Sequence, residues 1–149
     1  MAHGVSIIGL YILDLLGRAV SAIPDGGNVA FIEEIRLTVL GTAGGTVVDA
    51  AKLGLDCLAV GAVRPDEKAD WILMTLEKYG VETAMVARVP GVPTSATILN
   101  VRPNGERPAM HVRGASDHFD VAPAELRHKG TANGDGNFSA ELIGYVELA

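Results

Sequence analysis

Apolar and polar positions along this chain form short blocks that predict an α/β protein. Val5–Leu10 and Leu58–Val63 are short apolar runs bounded by glycine, which is typical of buried strands. Asp66–Tyr79 carries apolar residues at the helical period, with acidic residues first, Lys78 late and Gly80 directly after it. This segment therefore predicts an amphipathic helix, and the alternation of strands with helices favours an α/β core.

Turn residues divide the rest of the first half. Pro24–Gly27 predicts a tight turn, because proline fixes one backbone angle and glycine allows positive φ. Asn28–Leu40 alternates in part between apolar and polar residues, which predicts a half-exposed strand or a pair of strands. A glycine loop over Gly41–Thr46 then predicts the start of a helix that ends near Leu53.

A β-hairpin is predicted in the second half of the chain. Ser95–Arg102 and Arg107–Arg113 are two β-rich runs, and they flank the pair Asn104-Gly105. An Asn-Gly pair between two such runs is a strong hairpin signal. The hairpin indicates that the core carries a small β-sheet, and Asp135–Leu148 is the candidate for a last helix.

Composition narrows the classes of function. The 149 residues include 12 basic and 18 acidic side chains, a net charge of −6 without a basic cluster, so we expect neither nucleic acid nor an anionic membrane as partner. Cys57 is the one cysteine and cannot form an internal disulfide, which suits a reducing cytoplasm. The apolar opening is interrupted by Asp14 and is too short to span a membrane. We therefore expect a single cytoplasmic domain.

Short motifs follow one another in a characteristic order. Gly9 is followed five residues later by Asp14, and then come the Pro24–Gly27 turn, the diglycine loop of Gly41–Gly45 and the hairpin tip Gly105–Arg107. Each motif is common in proteins, but the ordered set is specific. Over about the first 120 residues it resembles the N-terminal part of the ribokinase/PfkB family of carbohydrate kinases.

The resemblance implies both a fold and an activity. It implies a ribokinase-like, Rossmann-type three-layer α/β core, here incomplete, with a small β-sheet lid formed by about residues 26–40 and 94–114. The implied reaction is transfer of the γ-phosphate of ATP, with Mg²⁺, to a hydroxymethyl group of a sugar, a nucleoside or a sugar acid. Lids of this family often pair, which implies a homodimer through the lid.

The resemblance also assigns roles to individual residues. It implies substrate contacts at Asp14, Gly26, Gly27, Gly44, Gly45 and Arg107. Residues 130–149 are similar to the family's catalytic signature in degraded form, which implies Asp135 as the base, with Gly134 and Gly136 forming the anion hole. The family's nucleotide-binding strands and helices are missing before this segment. We therefore expect a truncated relative, which is either a kinase or a non-catalytic remnant that binds a ligand or dimerises.

The same residues admit structural interpretations. Asp14 could be an N-cap or a loop carboxylate facing water, and Gly44 and Gly45 could form a plain tight turn. Arg107 could be a solvated charge that protects a β-edge, and Asp135 could lie in an exposed turn. We expect the four histidines to be structural or on the surface, and we expect no metal site at His3, His111, His118 and His128.

Two departures from the family pattern concern the substrate. Gly45 stands where the family usually has asparagine, while Asp49 lies one helical turn later. Arg64, Pro65 and Asp66 occupy the stretch where the family usually has Gly-Asp-Asp. Both changes leave the identity of the sugar open.

Overall fold

The computed structural model of the protein describes residues 4–118. These residues form strands, two α-helices and a short 3-10 turn, numbered here in chain order. Their bounds are β1 Gly4–Ile8, β2 Ile12–Arg18, β3 Glu34–Leu40, α1 Thr42–Lys52, β4 Asp56–Val63, α2 Glu67–Lys78, β5 Glu82–Arg88, β6 Ala96–Val101, β7 Ala109–Val112 and the 3-10 turn Ala115–His118.

Three parallel strands form the core sheet, in the order β1, β4, β5. Parallel neighbours need a crossover connection, and here α2 provides it between β4 and β5. The sheet and the helices share one apolar core, to which Ile7 and Val63 contribute from strands and Val47, Ile72 and Leu76 from the helices. Neither α1 nor α2 is long and apolar enough to cross a lipid bilayer.

Four strands form a second sheet, in the order β3, β2, β6, β7, which we call the lid sheet. β2 pairs antiparallel with β3 and parallel with β6, and β6 pairs antiparallel with β7. Only Gly9, Leu10 and Tyr11 separate β1 from β2, so the chain passes directly from the core sheet into the lid sheet.

Tyr11 lies at this passage. Its side chain is fully buried, and its hydroxyl donates a 2.8 Å hydrogen bond to the carbonyl oxygen of Ile7. Burial raises the pKa of Tyr11 well above its usual value, so the phenol stays neutral. The ring packs over Gly61 of β4, where an added methyl group would lie 2.5 Å from Tyr11 Cδ2. Tyr11 thus holds the beginning of the lid sheet onto the core sheet.

The α/β fold class is confirmed, as are the amphipathic helix and the hairpin. α2 has Asp66 as its N-cap, and Gly105 at the hairpin tip has a φ of 87°. The strand expected over Asn28–Leu40 is wrong in its first half, because it begins only at Glu34. β3 pairs with β2 up to Glu34 opposite Arg18, where β2 ends, and residues 28–33 therefore have no partner strand.

Two strands were not predicted. β2 contains Asp14 and Gly17, which interrupt its apolar pattern, and β5 begins at Glu82, two residues after Gly80. Both strands exist because they pair with neighbours, β2 with β3 and β6, and β5 with β4. The last helix predicted over Asp135–Leu148 lies outside the described residues.

Candidate substrate site

A row of paired polar residues crosses the lid sheet. Asp14 of β2 lies opposite Thr38 of β3 on one side and Thr97 of β6 on the other, and Thr97 lies opposite His111 of β7. Directly paired residues on neighbouring strands project from the same face of a sheet. Thr38, Asp14, Thr97 and His111 therefore form one strip, which we call the polar row.

Asp14 is the buried charge of the polar row. It is 6% exposed, and its Oδ1 atom makes no hydrogen bond within residues 4–118. Burial raises the pKa of Asp14, while the neighbouring Thr97 and His111 side chains act in the opposite direction. An unpartnered buried carboxylate oxygen is costly, so this atom indicates that a donor from outside the described structure completes the site.

Ser95 gives a second signal of the same kind. It is 2% exposed, and its Oγ atom also lacks a hydrogen-bond partner in the described part of the chain. Ser95 directly precedes β6 and lies two residues before Thr97. A buried hydroxyl oxygen without a partner can accept a hydroxyl group of a ligand.

α1 begins beside the passage between β1 and β2. The carbonyl oxygen of Leu10 accepts hydrogen bonds from the N–H groups of Ala43 and Gly44, at 3.3 and 3.2 Å. An added methyl group on Gly44 would lie 3.0 Å from Val39 Cγ1, so a larger residue at position 44 would require the Val39 side chain to shift by a few tenths of an ångström. Gly45 is half-buried in the same first turn. No acidic residue offsets the helix dipole in this turn, which leaves the N-terminus of α1 electropositive.

Asp49 and Asp66, which lie at the two departures from the family pattern, both have partners within the chain. The Asp49 side chain is 78% exposed and pairs with Lys52 at 3.6 Å, so it does not stand in for the family's asparagine. Asp66 caps α2 instead of facing a ligand. Its carboxylate accepts a 3.0 Å hydrogen bond from the Ala69 N–H and a 2.7 Å bond from the Thr94 hydroxyl.

The remaining predicted residues lie elsewhere. Gly26 and Gly27 form an exposed turn, and Gly26 has a φ of 59°. Arg107 is exposed in the connection between β6 and β7. None of the hydrogen bonds or ion pairs of residues 4–118 joins these three residues to the polar row. The predicted base Asp135 and its neighbours Gly134 and Gly136 lie outside the described residues.

A groove of about 470 Å³ lies between the lid sheet and the two helices. Its lining includes Thr38 of the polar row, Val39 of β3, Lys52 of α1 and Trp71 of α2, and it contains none of the predicted substrate residues. Within residues 4–118, no three His, Cys, Asp or Glu side chains are placed to hold a metal ion. The polar row is thus the best-supported candidate site in this part of the chain.

Sequence reasoning missed Thr97 and His111 as site residues. His111 was expected to be structural or on the surface, and it is exposed, while Thr97 was not singled out. The hairpin signal contained the missing information, because Thr97 and His111 lie equally far from Asn104, seven residues before and seven after it. A hairpin that is symmetric about Asn104 pairs Thr97 with His111, and these two residues are paired in the structure.

The chain is similar to known proteins in both sequence and structure. The profile of the pfkB family carbohydrate kinases matches residues 2–138. No curated protein matches the chain. A protein of Agrobacterium tumefaciens assigned as a ribokinase superimposes with a TM-score of 0.72 at 22% identity, over 85% of this chain and 42% of that one.

Two other solved structures, both of ribokinases, also superimpose on this chain. A ribokinase of Arabidopsis thaliana, complexed with ribose and ATP, matches with a TM-score of 0.65 at 21% identity, over 77% of this chain and 37% of that one. A ribokinase of Giardia lamblia matches with a TM-score of 0.63 at 26% identity, with the same two shares of 77% and 37%. The chain thus spans about two fifths of the length of these relatives. Since the family profile covers most of the sequence, the chain belongs to the pfkB family of carbohydrate kinases.

Proposed function

We propose that this chain is the substrate-binding and lid part of a carbohydrate kinase, and that the polar row binds the hydroxyl groups of its substrate. The observation that carries the proposal is the unpartnered, buried Oδ1 atom of Asp14. A carboxylate is an acceptor with room for several hydrogen bonds, so one Asp14 side chain can take two neighbouring sugar hydroxyls. Hydrogen bonds to a charged acceptor are also stronger than neutral ones.

The substrate class follows from the family and from the chemistry of this face. The Arabidopsis relative is a ribokinase solved with ribose, and a further relative, from Methanocaldococcus jannaschii, is a nucleoside kinase. Ribose and nucleosides share vicinal ring hydroxyls, which suit the two oxygens of the Asp14 carboxylate. We therefore take D-ribose as the first probe, with a nucleoside and a sugar acid as the alternatives.

Phosphoryl transfer requires residues beyond those described. In this proposal ATP and Mg²⁺ are held by residues outside 4–118, within which no three His, Cys, Asp or Glu side chains cluster. In this proposal Asp135 takes the proton of the substrate hydroxymethyl group. The oxygen of that hydroxymethyl group then bonds to the γ-phosphorus of ATP, and the bond between the γ-phosphorus and the bridging β-phosphate oxygen breaks. Gly134 and Gly136 provide backbone N–H groups for the phosphate oxygens.

Asp14→Asn is expected to abolish the rise in melting temperature that D-ribose causes in the 149-residue chain. Loss of a charged hydrogen-bond acceptor costs about 2–3 kcal/mol of binding, roughly a hundredfold in affinity. The melting temperature without sugar should stay the same or rise, because burial of the charged form opposes folding. Differential scanning fluorimetry with and without ribose measures both effects.

Asp49→Asn is the matched control, since it removes the same charge from an exposed position on α1. It should keep the full response to ribose. An equal response in wild type and Asp14→Asn would contradict a role of Asp14 in binding sugar. Adding Mg-ATP to the same scans tests the catalytic part of the proposal separately.

Dimerisation through the lid sheet is a second candidate function, favoured by the face opposite the polar row. Leu15 of β2 lies opposite Leu37 and Ile98, and Ile98 lies opposite Met110, so an apolar row crosses all strands of this sheet. Leu37, Ile98 and Met110 are exposed by 43–55%. A contiguous exposed apolar face marks an interaction site, and a flat face of this kind can pair with its own copy.

Ile98→Asp is expected to convert the dimer into a monomer, because a carboxylate at the middle of the apolar row would be buried without a partner. Sedimentation velocity of the wild type and the variant measures the change. Leu53→Asp is the control, since Leu53 is 83% exposed at the end of α1. A monomeric wild type, or a dimer unaffected by Ile98→Asp, would reject this interface.

A further inference from the structure

The groove between the lid sheet and the two helices brings aromatic and cationic side chains together. Lys52 lies in the last turn of α1, and α2 supplies lining residues at the helical period, namely Trp71, Thr75 and Lys78, with Tyr79 directly after the helix. The period of each helix thus places some of its side chains along the groove. Its volume of about 470 Å³ falls within the range of roughly 300–1,000 Å³ that small-molecule sites occupy.

The charge of the groove lining is one-sided. Lys52 and Lys78 line the groove, and none of its described lining residues is acidic, although the chain as a whole carries a net charge of −6. Lys52 pairs with Asp49 at 3.6 Å, but both side chains are more than half exposed, so this pair is weak. Lys78 makes no ion pair within residues 4–118. The groove therefore suits an anion, and lysine is a common partner of phosphate.

The aromatic side chains of the groove indicate a second property of its ligand. Trp71 is partly buried and packs against the apolar core, which holds the indole in place, and it also lines the groove. Tyr79 is 44% exposed, and the Nζ atom of Lys52 lies 5.2 Å from the centre of its ring, a contact that joins the ends of the two helices. Planar rings stack on tryptophan and tyrosine side chains. The groove therefore suits a planar ring with a phosphate group attached to it.

We propose that this groove binds a nucleoside monophosphate or a ligand of the same chemistry, with its planar ring against Trp71 and Tyr79 and its phosphate at Lys52 and Lys78. The site is separate from the proposed function, in which ATP is held outside residues 4–118 and sugar binds at Asp14. Thr38 belongs to the polar row and also lines the groove, so the test must distinguish binding at these two places.

Trp71 is the one tryptophan of the 149 residues, so its fluorescence reports directly on the groove. The full chain is titrated with AMP in the absence of Mg²⁺, with excitation on the long-wavelength side of the adenine absorption band. We expect a saturable change in Trp71 emission, and an affinity for adenosine that is weaker by about tenfold because adenosine lacks the phosphate. No response to AMP would overturn the proposal, and so would adenosine binding as tightly as AMP.

Replacement of both lysines tests their role in the site. The double variant Lys52→Gln with Lys78→Gln is expected to weaken AMP binding by at least about tenfold, since the phosphate loses both cations. Arg88→Gln is the matched control, because it removes an exposed cation that does not line the groove. AMP affinity in Arg88→Gln should equal that of the wild type. Equal affinity in the double variant and in Arg88→Gln would overturn the proposal.

Asp14→Asn separates this site from the polar row. The variant should bind AMP like the wild type, and saturating D-ribose should not displace AMP, whatever the outcome of the ribose experiment above. Loss of the AMP response in Asp14→Asn would place the ligand at the polar row and overturn the groove as its site.

Other occupants of the groove would give different results. A second copy of the chain over the groove would make Trp71 emission depend on protein concentration and not on AMP. Residues outside 4–118 seated in the groove would shield Trp71 from quenching by acrylamide and leave it unresponsive to AMP. Either result would overturn the proposal, whereas acrylamide quenching that AMP reduces would support it.

Discussion

Asp66→Ala is expected to lower the free energy of unfolding by about 3 kcal/mol. Loss of the N-cap of α2 costs about 1 kcal/mol, and the substitution also leaves the buried Thr94 N–H without its partner and removes the shorter bond of the Thr94 hydroxyl, which keeps its contacts with the backbone of Arg64. Thr94 is fully buried, and both its N–H group and its hydroxyl donate to Asp66, at 3.1 and 2.7 Å. Urea unfolding followed by circular dichroism measures the loss.

Asp66 also makes the protein sensitive to acid. Burial opposes its ionisation, but hydrogen bonds from Thr94 and Ala69 and the nearby Lys68 outweigh burial and lower the pKa from 3.8 to about 2. A group whose pKa is lower in the folded state stabilises the fold above its unfolded pKa, and this contribution is lost as the pH falls toward the folded value. About 2 kcal/mol of stability should therefore disappear between about pH 4 and pH 2 in the wild type, and much less of it in Asp66→Ala.

Asp70→Ala is the matched control for both measurements. Asp70 is an acidic residue in the first turn of the same helix, but its side chain is 68% exposed and pairs with Arg88 at the surface. Exposed pairs of this kind contribute less than about 1 kcal/mol. If Asp66→Ala and Asp70→Ala unfold at the same urea concentration, then the bonds between Asp66 and Thr94 do not stabilise the fold.

Gly61→Ala is expected to destabilise the chain by about 3 kcal/mol, because the added methyl group has no space. It would lie 2.5 Å from Tyr11 Cδ2 and 2.8 Å from the carbonyl oxygen of Gly9. Relief requires movement of the buried Tyr11 ring or of the backbone between β1 and β2, and overpacking of this kind usually costs 1–3 kcal/mol or more. The change in urea midpoint at constant slope gives the loss of stability.

Gly27→Ala serves as the control for Gly61→Ala, since no protein atom lies within 4 Å of the added methyl group. It should unfold like the wild type. A loss of stability below about 1 kcal/mol in Gly61→Ala would show that the Tyr11 ring can move aside at little cost. In that case Tyr11 would not hold the lid sheet in a defined position on the core sheet.

Local signals explain which elements could be predicted from the sequence. α2 is specified by its own residues, because the apolar period, the Asp66 cap and the terminal Gly80 all lie within one short segment. The hairpin of β6 and β7 is specified by Asn104-Gly105 in the same way. The order of such motifs was sufficient to place the chain in its family.

Elements that depend on distant partners could not be predicted. β2 lacks a regular alternation and is a strand because β3 and β6 pair with both of its edges. Residues 28–33 alternate to some extent, yet they form no strand because β2 ends at Arg18. A pattern of alternation shows that a segment can pair, while the bounds of its neighbour decide where pairing stops.

For the candidate site, the sequence by itself determined the family, the glycine turns and the candidacy of Asp14. The tertiary structure decided that Asp14 is buried, and that Thr97 and His111 share its face, because pairing between strands far apart in the chain sets that register. It also decided that Asp49 faces solvent and that Asp66 caps a helix. Burial and hydrogen bonding depend on which groups surround a side chain, and those surroundings form only when the lid sheet is assembled on the core.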